Sequence, residues 1–177
     1  LRAVHYGLGF EQELTRQLEV SMEGFYKDLT RLVVPKAAEG SRAGGVIYAN
    51  DGSGQAYGME LLLRYKSDRR FFGWIAYTLS RSERRESFDR PLRAFQFDQT
   101  HILTVLGSYK LGAGWQVGAR FRLVSGNMYT PNVGGTVDLD SGSYAPRSAV
   151  PAFGSRLPPF HQLDLRVDKT WQFKQWS

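Results

Sequence analysis

His5, His101 and His161 stand alone, each without a second histidine or a cysteine at metal-ligand spacing. They read as strand-end or surface residues. Asp138-Leu139-Asp140-Ser141-Gly142 echoes a calcium loop but lacks the third acidic position and the distal glutamate. Asp51-Gly52-Ser53-Gly54 is followed by neither the lysine nor the helix of a phosphate loop. Serines occur without a nucleophile elbow, and cysteine is absent altogether. No catalytic constellation, cofactor or metal site is expected from these residues, and the protein reads as a non-enzyme.

What remains are charges at alternating positions: Glu19, Glu23, Glu60, Arg64, Arg120, Arg122, Asp164, Arg166 and Asp168. Both signs occur, so the groups can pair with one another or with a charged partner. The overall balance is basic, with 23 Lys and Arg against 17 Asp and Glu. The arginines are scattered over loops and alternate strand positions, whereas a nucleic-acid footprint is concentrated. A nucleic-acid partner is therefore not expected. The lack of cysteine suits export to an oxidising space.

The elements that position these charges are strands. From His101 to Leu123 the odd positions Leu103, Val105, Tyr109, Trp115, Val117, Phe121 and Leu123 are mostly apolar. Thr104, Ser108, Lys110, Gln116, Arg120 and Arg122 take the other row, with Ile102 and Leu106 as exceptions. That is period-two alternation on two arms. Gly112-Ala113-Gly114 between them suits a three-residue hairpin loop. The same logic recurs at Val4 to Leu14, Leu18 to Val34, Gln55 to Tyr65, Phe71 to Ser82 and Phe160 to Phe173. The fold class is all-β, an antiparallel meander of about seven long strands with no helix.

Connections alternate between short turns and long loops, the latter being Pro35 to Gly54, Glu83 to Asp98 and Ser125 to Pro159. Short turns at one end and long loops at the other mark transmembrane barrels. The apolar rows are aliphatic in the middle and aromatic towards the ends, at Tyr57, Tyr65, Trp115, Phe121, Trp171 and Phe173, as expected at two membrane interfaces. The charged rows then face the barrel interior. A soluble β-barrel carrier with its apolar rows inside, and a small self-contained barrel with a structural or adhesive role, are the competing readings. An unmatched number of strands makes residues 1–177 an expected part of a larger barrel domain.

Phe97 to Pro131 (FDQTHILTVLGSYKLGAGWQVGARFRLVSGNMYTP) resembles the barrel of TonB-dependent outer-membrane receptors. So do Ser21 to Val34, Gln55 to Arg64, Gly73 to Arg84 and Leu157 to Trp171. At Met128 many relatives carry proline. The resemblance implies a plugged barrel of the 22-stranded class in the outer membrane of a Gram-negative bacterium. It implies active uptake of a scarce ligand of siderophore-iron, cobalamin or glycan type. The implied partners are membrane lipid, the plug and the remaining barrel of the same protein, and TonB acting through the plug. The plug and the final strands are expected outside this sequence. The charged rows become candidate plug contacts. Tyr48, Asn127, Tyr129 and Tyr144 become candidate ligand contacts on the loops.

Overall fold

The computed structural model describes residues 1–37, 46–67, 69–150 and 152–172. Alternating β-branched, aromatic and small polar residues give strands throughout. In chain order they are β1 (Arg2–Glu13), β2 (Leu18–Ala37), β3 (Val46–Tyr65), β4 (Phe71–Arg85), β5 (Arg93–Ala94), β6 (His101–Gly112), β7 (Trp115–Val124), β8 (Met128–Tyr129), β9 (Asn132–Asp138), β10 (Ser143–Ser148), β11 (Ser155–Arg156) and β12 (Phe160–Lys169). Seven long strands form one antiparallel meander in the order β1-β2-β3-β4-β6-β7-β12, with β5 added beside β4. β8 pairs with β11, and β9 with β10, outside this sheet.

Side-chain period fixes the register, because a one-residue slip would exchange the two faces. Val20, Leu63, Ile75, Val105, Phe121 and Leu163 are direct partners along one line across six strands. The adjacent line, on the opposite face, is Ser21, Leu62, Ala76, Thr104, Arg122 and Gln162. The apolar rows have no protein cover: Leu8 is 85% exposed and Leu165 is 74% exposed. The sheet is open, and its apolar side chains do not fill a closed interior as a soluble carrier would require.

Aromatic side chains mark both ends of the apolar face. Tyr6, Tyr26 and Tyr57 are consecutive partners on β1, β2 and β3. At the other end Tyr65 and Phe71 lie with ring centroids 5.3 Å apart, and Trp115 sits beside Lys169. Phe71 also lies over Gly73 and Gly107, whose missing side chains leave room for its ring.

The short turns hold where they were expected. Thr15 Oγ1 accepts the amides of Gln17 and Leu18 at 3.2 and 3.0 Å, closing the first of them. The Gly112-Ala113-Gly114 turn differs in detail. Ala113 and Gly114 form a two-residue turn with φ of 49° and 80°, and Gly112, at φ 100°, makes a bulge opposite Trp115. The bulge absorbs the odd residue, so Trp115 keeps to the apolar face.

Three expectations are corrected. Pro35 to Gly54 is not a loop, because β2 and β3 remain paired as far as Ala37 and Val46. The ladder passes two irregularities, one of them at Arg31, whose φ of 55° bends the strand while pairing resumes at Leu32. Ser125 to Pro159 is not an irregular loop either, since it carries β8 to β11. Finally, β12 ends at Lys169, short of Phe173. Trp171 lies just beyond the strand, and Phe173 falls outside the described residues.

Candidate functional site: the polar face and the loop clamp

The polar face divides into local clusters. Near the first turns, Glu19 is 3.0 Å from Lys66 and 3.4 Å from Arg64, and Lys66 also pairs with Glu13. On the opposite flank Arg120 holds Asp164 through two nitrogens at 2.7 and 2.9 Å. Gln162 donates to the other Asp164 oxygen at 2.8 Å, and Arg166 pairs with Asp168 at 2.8 Å. These flank a recess of about 770 Å³ whose floor includes Ser108, Gln116 and Gly118. Exposed pairs of this kind contribute little stability because water screens them, so their weight lies in what they present to a partner.

Three of the nine candidate charges have no ion-pair partner among the described residues. Glu23 and Glu60 stand directly opposite one another on β2 and β3. Neither has an ion-pair partner among the described residues. Arg122, between Thr104 and Gln162, has none either. Like charges placed directly across a ladder repel. A bare carboxylate pair is tolerable where water or a cationic partner reaches it, and not in hydrocarbon.

The structure brings Glu19 to Arg64, Arg120 to Asp164 and Arg166 to Asp168, and it leaves the nine charges as separate groups along one face. The loop candidates are not gathered. Asn127 accepts from Gln99 Nε2 at 3.3 Å just beyond β7, and Tyr129 follows on β8. Tyr48 projects from the upper part of β3, 74% exposed. Tyr144 lies over Gly135 on the β9–β10 hairpin. Among the membrane-interface candidates, Tyr57 and Tyr65 flank the aliphatic stretch of β3. Phe121 sits inside the aliphatic line, between Val105 and Leu163.

One further cluster had no sequence signal strong enough to reveal it. Asp98, 3% exposed, accepts the Ser82 amide at 2.6 Å, the Thr100 hydroxyl at 3.0 Å and Arg156 Nη2 at 2.6 Å. Arg156 Nη1 donates to the Asp98 and Gly126 carbonyls at 2.7 and 2.8 Å. The clamp ties the β4–β6 connection to the foot of the long β7–β12 connection. A β-carbon on Gly126 would collide with the Leu157 and Pro158 backbone, so only glycine lets the two loop stems lie this close.

At the tip of the β9–β10 hairpin, Asp138 accepts the Ser141 hydroxyl at 2.7 Å and the Asp140 amide at 3.0 Å. Chiefly the Ser141 hydrogen bond, then the backbone amides, holds its carboxyl below the ordinary carboxylate value. Because the folded-state pKa is lowered, this stabilisation is complete above the unfolded value of about 3.9. It disappears as pH falls through the lowered folded value. Hydrogen exchange at the Ser141 amide should be flat from neutrality to about pH 4, after correction for intrinsic rates, and lose protection only below that.

The chain matches the family described as TonB dependent receptor-like, beta-barrel, over residues 2–177. It belongs to that family. No curated protein and no solved structure matches it. TonB-dependent receptors are outer-membrane receptors and transporters rather than enzymes, and they work with a plug domain and with TonB. A sheet with one uncovered apolar face and one charged face is what a piece of such a wall requires.

Proposed function

We propose that residues 1–177 are part of the barrel domain of a receptor that actively takes up a scarce ligand of siderophore-iron, cobalamin or glycan type. The polar face lines the barrel interior and meets the plug, and the apolar face meets lipid. The observation that carries this reading is that Glu23, Glu60 and Arg122 have no ion-pair partner among the described residues, on the face that also holds every other candidate charge. Such groups are costly against hydrocarbon but useful against a polar domain that must be held and then released under force. Paired side chains such as Arg120 and Asp164 can exchange partners with the plug at little net cost. Tyr48, Asn127, Tyr129 and Tyr144 are the residues of the loop end available for aromatic and amide contacts with ligand.

Site-specific photo-crosslinking in the full-length receptor tests this. Benzoylphenylalanine at Glu60 or Arg122 should give intramolecular crosslinks that map to the plug. The same group at Leu61 or Leu165 should give lipid adducts. Lipid adducts at all four positions would sink the reading. Uptake of labelled ferric chelate, cobalamin and oligosaccharide by cells expressing the receptor then separates the ligand classes.

A further inference from the structure

A groove of about 770 Å³ crosses β1 to β4 near the loop end of the sheet. Register decides which face it opens on. One wall is the line Tyr6, Tyr26, Tyr57 and Arg81, and the other is the line Leu8, Gly24, Met59 and Leu79, with Gly7, Phe25, Gly58 and Ser80 in the strands between them. Both lines belong to the apolar face. Glu23 and Glu60, which would wall it on the polar face, are not part of its lining. Gly24 makes the dent: a β-carbon there would approach only the Leu8 carbonyl, at 3.9 Å.

We propose that this groove holds a membrane lipid with a phosphate headgroup, its acyl chain lying along the groove and its phosphate on Arg81. The inference rests on the apolar face meeting lipid, as proposed above. Tyr57 is eight residues above Tyr65 on β3, which is about 26 Å along the strand, or roughly 20 Å across the membrane after strand tilt. The tyrosine wall therefore lies where hydrocarbon gives way to headgroups, and Arg81 lies beside it.

Arg81 is held ready for an anion. Its Nε donates to Glu83 Oε1 at 2.8 Å, Gln55 donates to Glu83 Oε2 at 2.9 Å, and the Tyr26 hydroxyl donates to Gln55 at 3.3 Å. This chain fixes the guanidinium and leaves its two terminal nitrogens without a partner among the described residues. Forked donors match a phosphate in two-point contact. Arg85, two residues further up on the same row, adds a second guanidinium and donates to Ser53 Oγ at 2.8 Å. A lipid tail gains no hydrophobic energy by leaving bilayer for groove, so packing and the headgroup contact must select it.

The test uses the full-length receptor, stripped of lipid in detergent and titrated with dioleoylphosphatidic acid or with dioleoylglycerol, which lacks the phosphate. Adducts are counted by native mass spectrometry. The wild-type receptor should retain phosphatidic acid and not the diglyceride. Arg81→Gln should weaken retention roughly tenfold, the worth of one charge-assisted contact, and Gly24→Leu should weaken it by filling the dent. Lys169→Gln, a change on the same face at the opposite end, should leave it unaltered. Equal retention of the two lipids, or unchanged retention in Arg81→Gln, overturns the proposal. Should Gly24→Leu fail to assemble, as its gel mobility would reveal, the lipid pair and Arg81→Gln decide alone. Failure of the groove leaves the lipid crosslinks at Leu61 intact, whereas failure of the face assignment removes both.

Discussion

Asp98→Ala should cost the assembled receptor about 2 kcal/mol, less than the penalty for breaking a fully buried ion pair, because 31% of the Arg156 side chain stays exposed. Three donors converge on a carboxylate that is 3% exposed. Its removal leaves the half-buried Ser82 amide without its acceptor. Arg156→Ala should cost a comparable amount for a different reason: it leaves the buried carboxylate without its cation and frees the Gly126 carbonyl. The two losses overlap, so the double variant should fall short of their sum by about 2 kcal/mol. Urea titration of the full-length receptor refolded into vesicles measures all three. If each single variant costs under about 0.5 kcal/mol, as a surface change would, the clamp does not hold the loops.

Leu61→Arg and Leu62→Arg differ by one position and should differ widely in effect. Leu61 lies between Met22 and Tyr77 on the apolar face, midway along β3 between Tyr57 and Tyr65. An arginine there meets the middle of the hydrocarbon layer and should cost about 2 to 4 kcal/mol. Leu62 lies between Ser21 and Ala76 on the polar face. Arginine there joins the other charges of the polar face and should cost under about 1 kcal/mol. Vesicle refolding yields and urea midpoints of the two variants give the comparison directly. The reverse order would place lipid on the charged face and overturn the functional reading.

The faces were legible because period-two alternation survives wherever one side of a sheet meets a different solvent from the other. The same pattern runs unbroken across the ladders, as the line from Val20 to Leu163 shows. The upper parts of β2 and β3 were not legible. Arg31 takes a left-handed conformation without glycine to announce it, and the shift of register there ends the alternation. Pro35 and the neighbouring glycines and alanines then look like a loop. Of the short strands, β8 and β11 were missed because two-residue pairings carry no periodicity, and β9 and β10 because Gly134, Gly135 and Pro146 interrupt the alternation. The Asp98 clamp was missed because its partner lies 58 residues away, and nothing in local spacing links the two. Among the nine charges of the polar face, membership was readable and pairing was not, since both signs recur on every second position.

The small β8–β11 pairing bears on how the last strand joins the sheet. Five of the six joins between the long strands are of modest length, but β12 must find β7 across residues 125–159. Pairing Tyr129 with Ser155 brings the two ends of that segment together before β12 begins. The closure that β12 then faces is that of a tether about a quarter as long. At about 0.6 kcal/mol for each halving, this removes roughly 1.2 kcal/mol of entropic cost. The external loop is thus a folding aid as well as a surface: by closing on itself first, it turns a distant strand into a near neighbour and lets the wall grow one strand at a time.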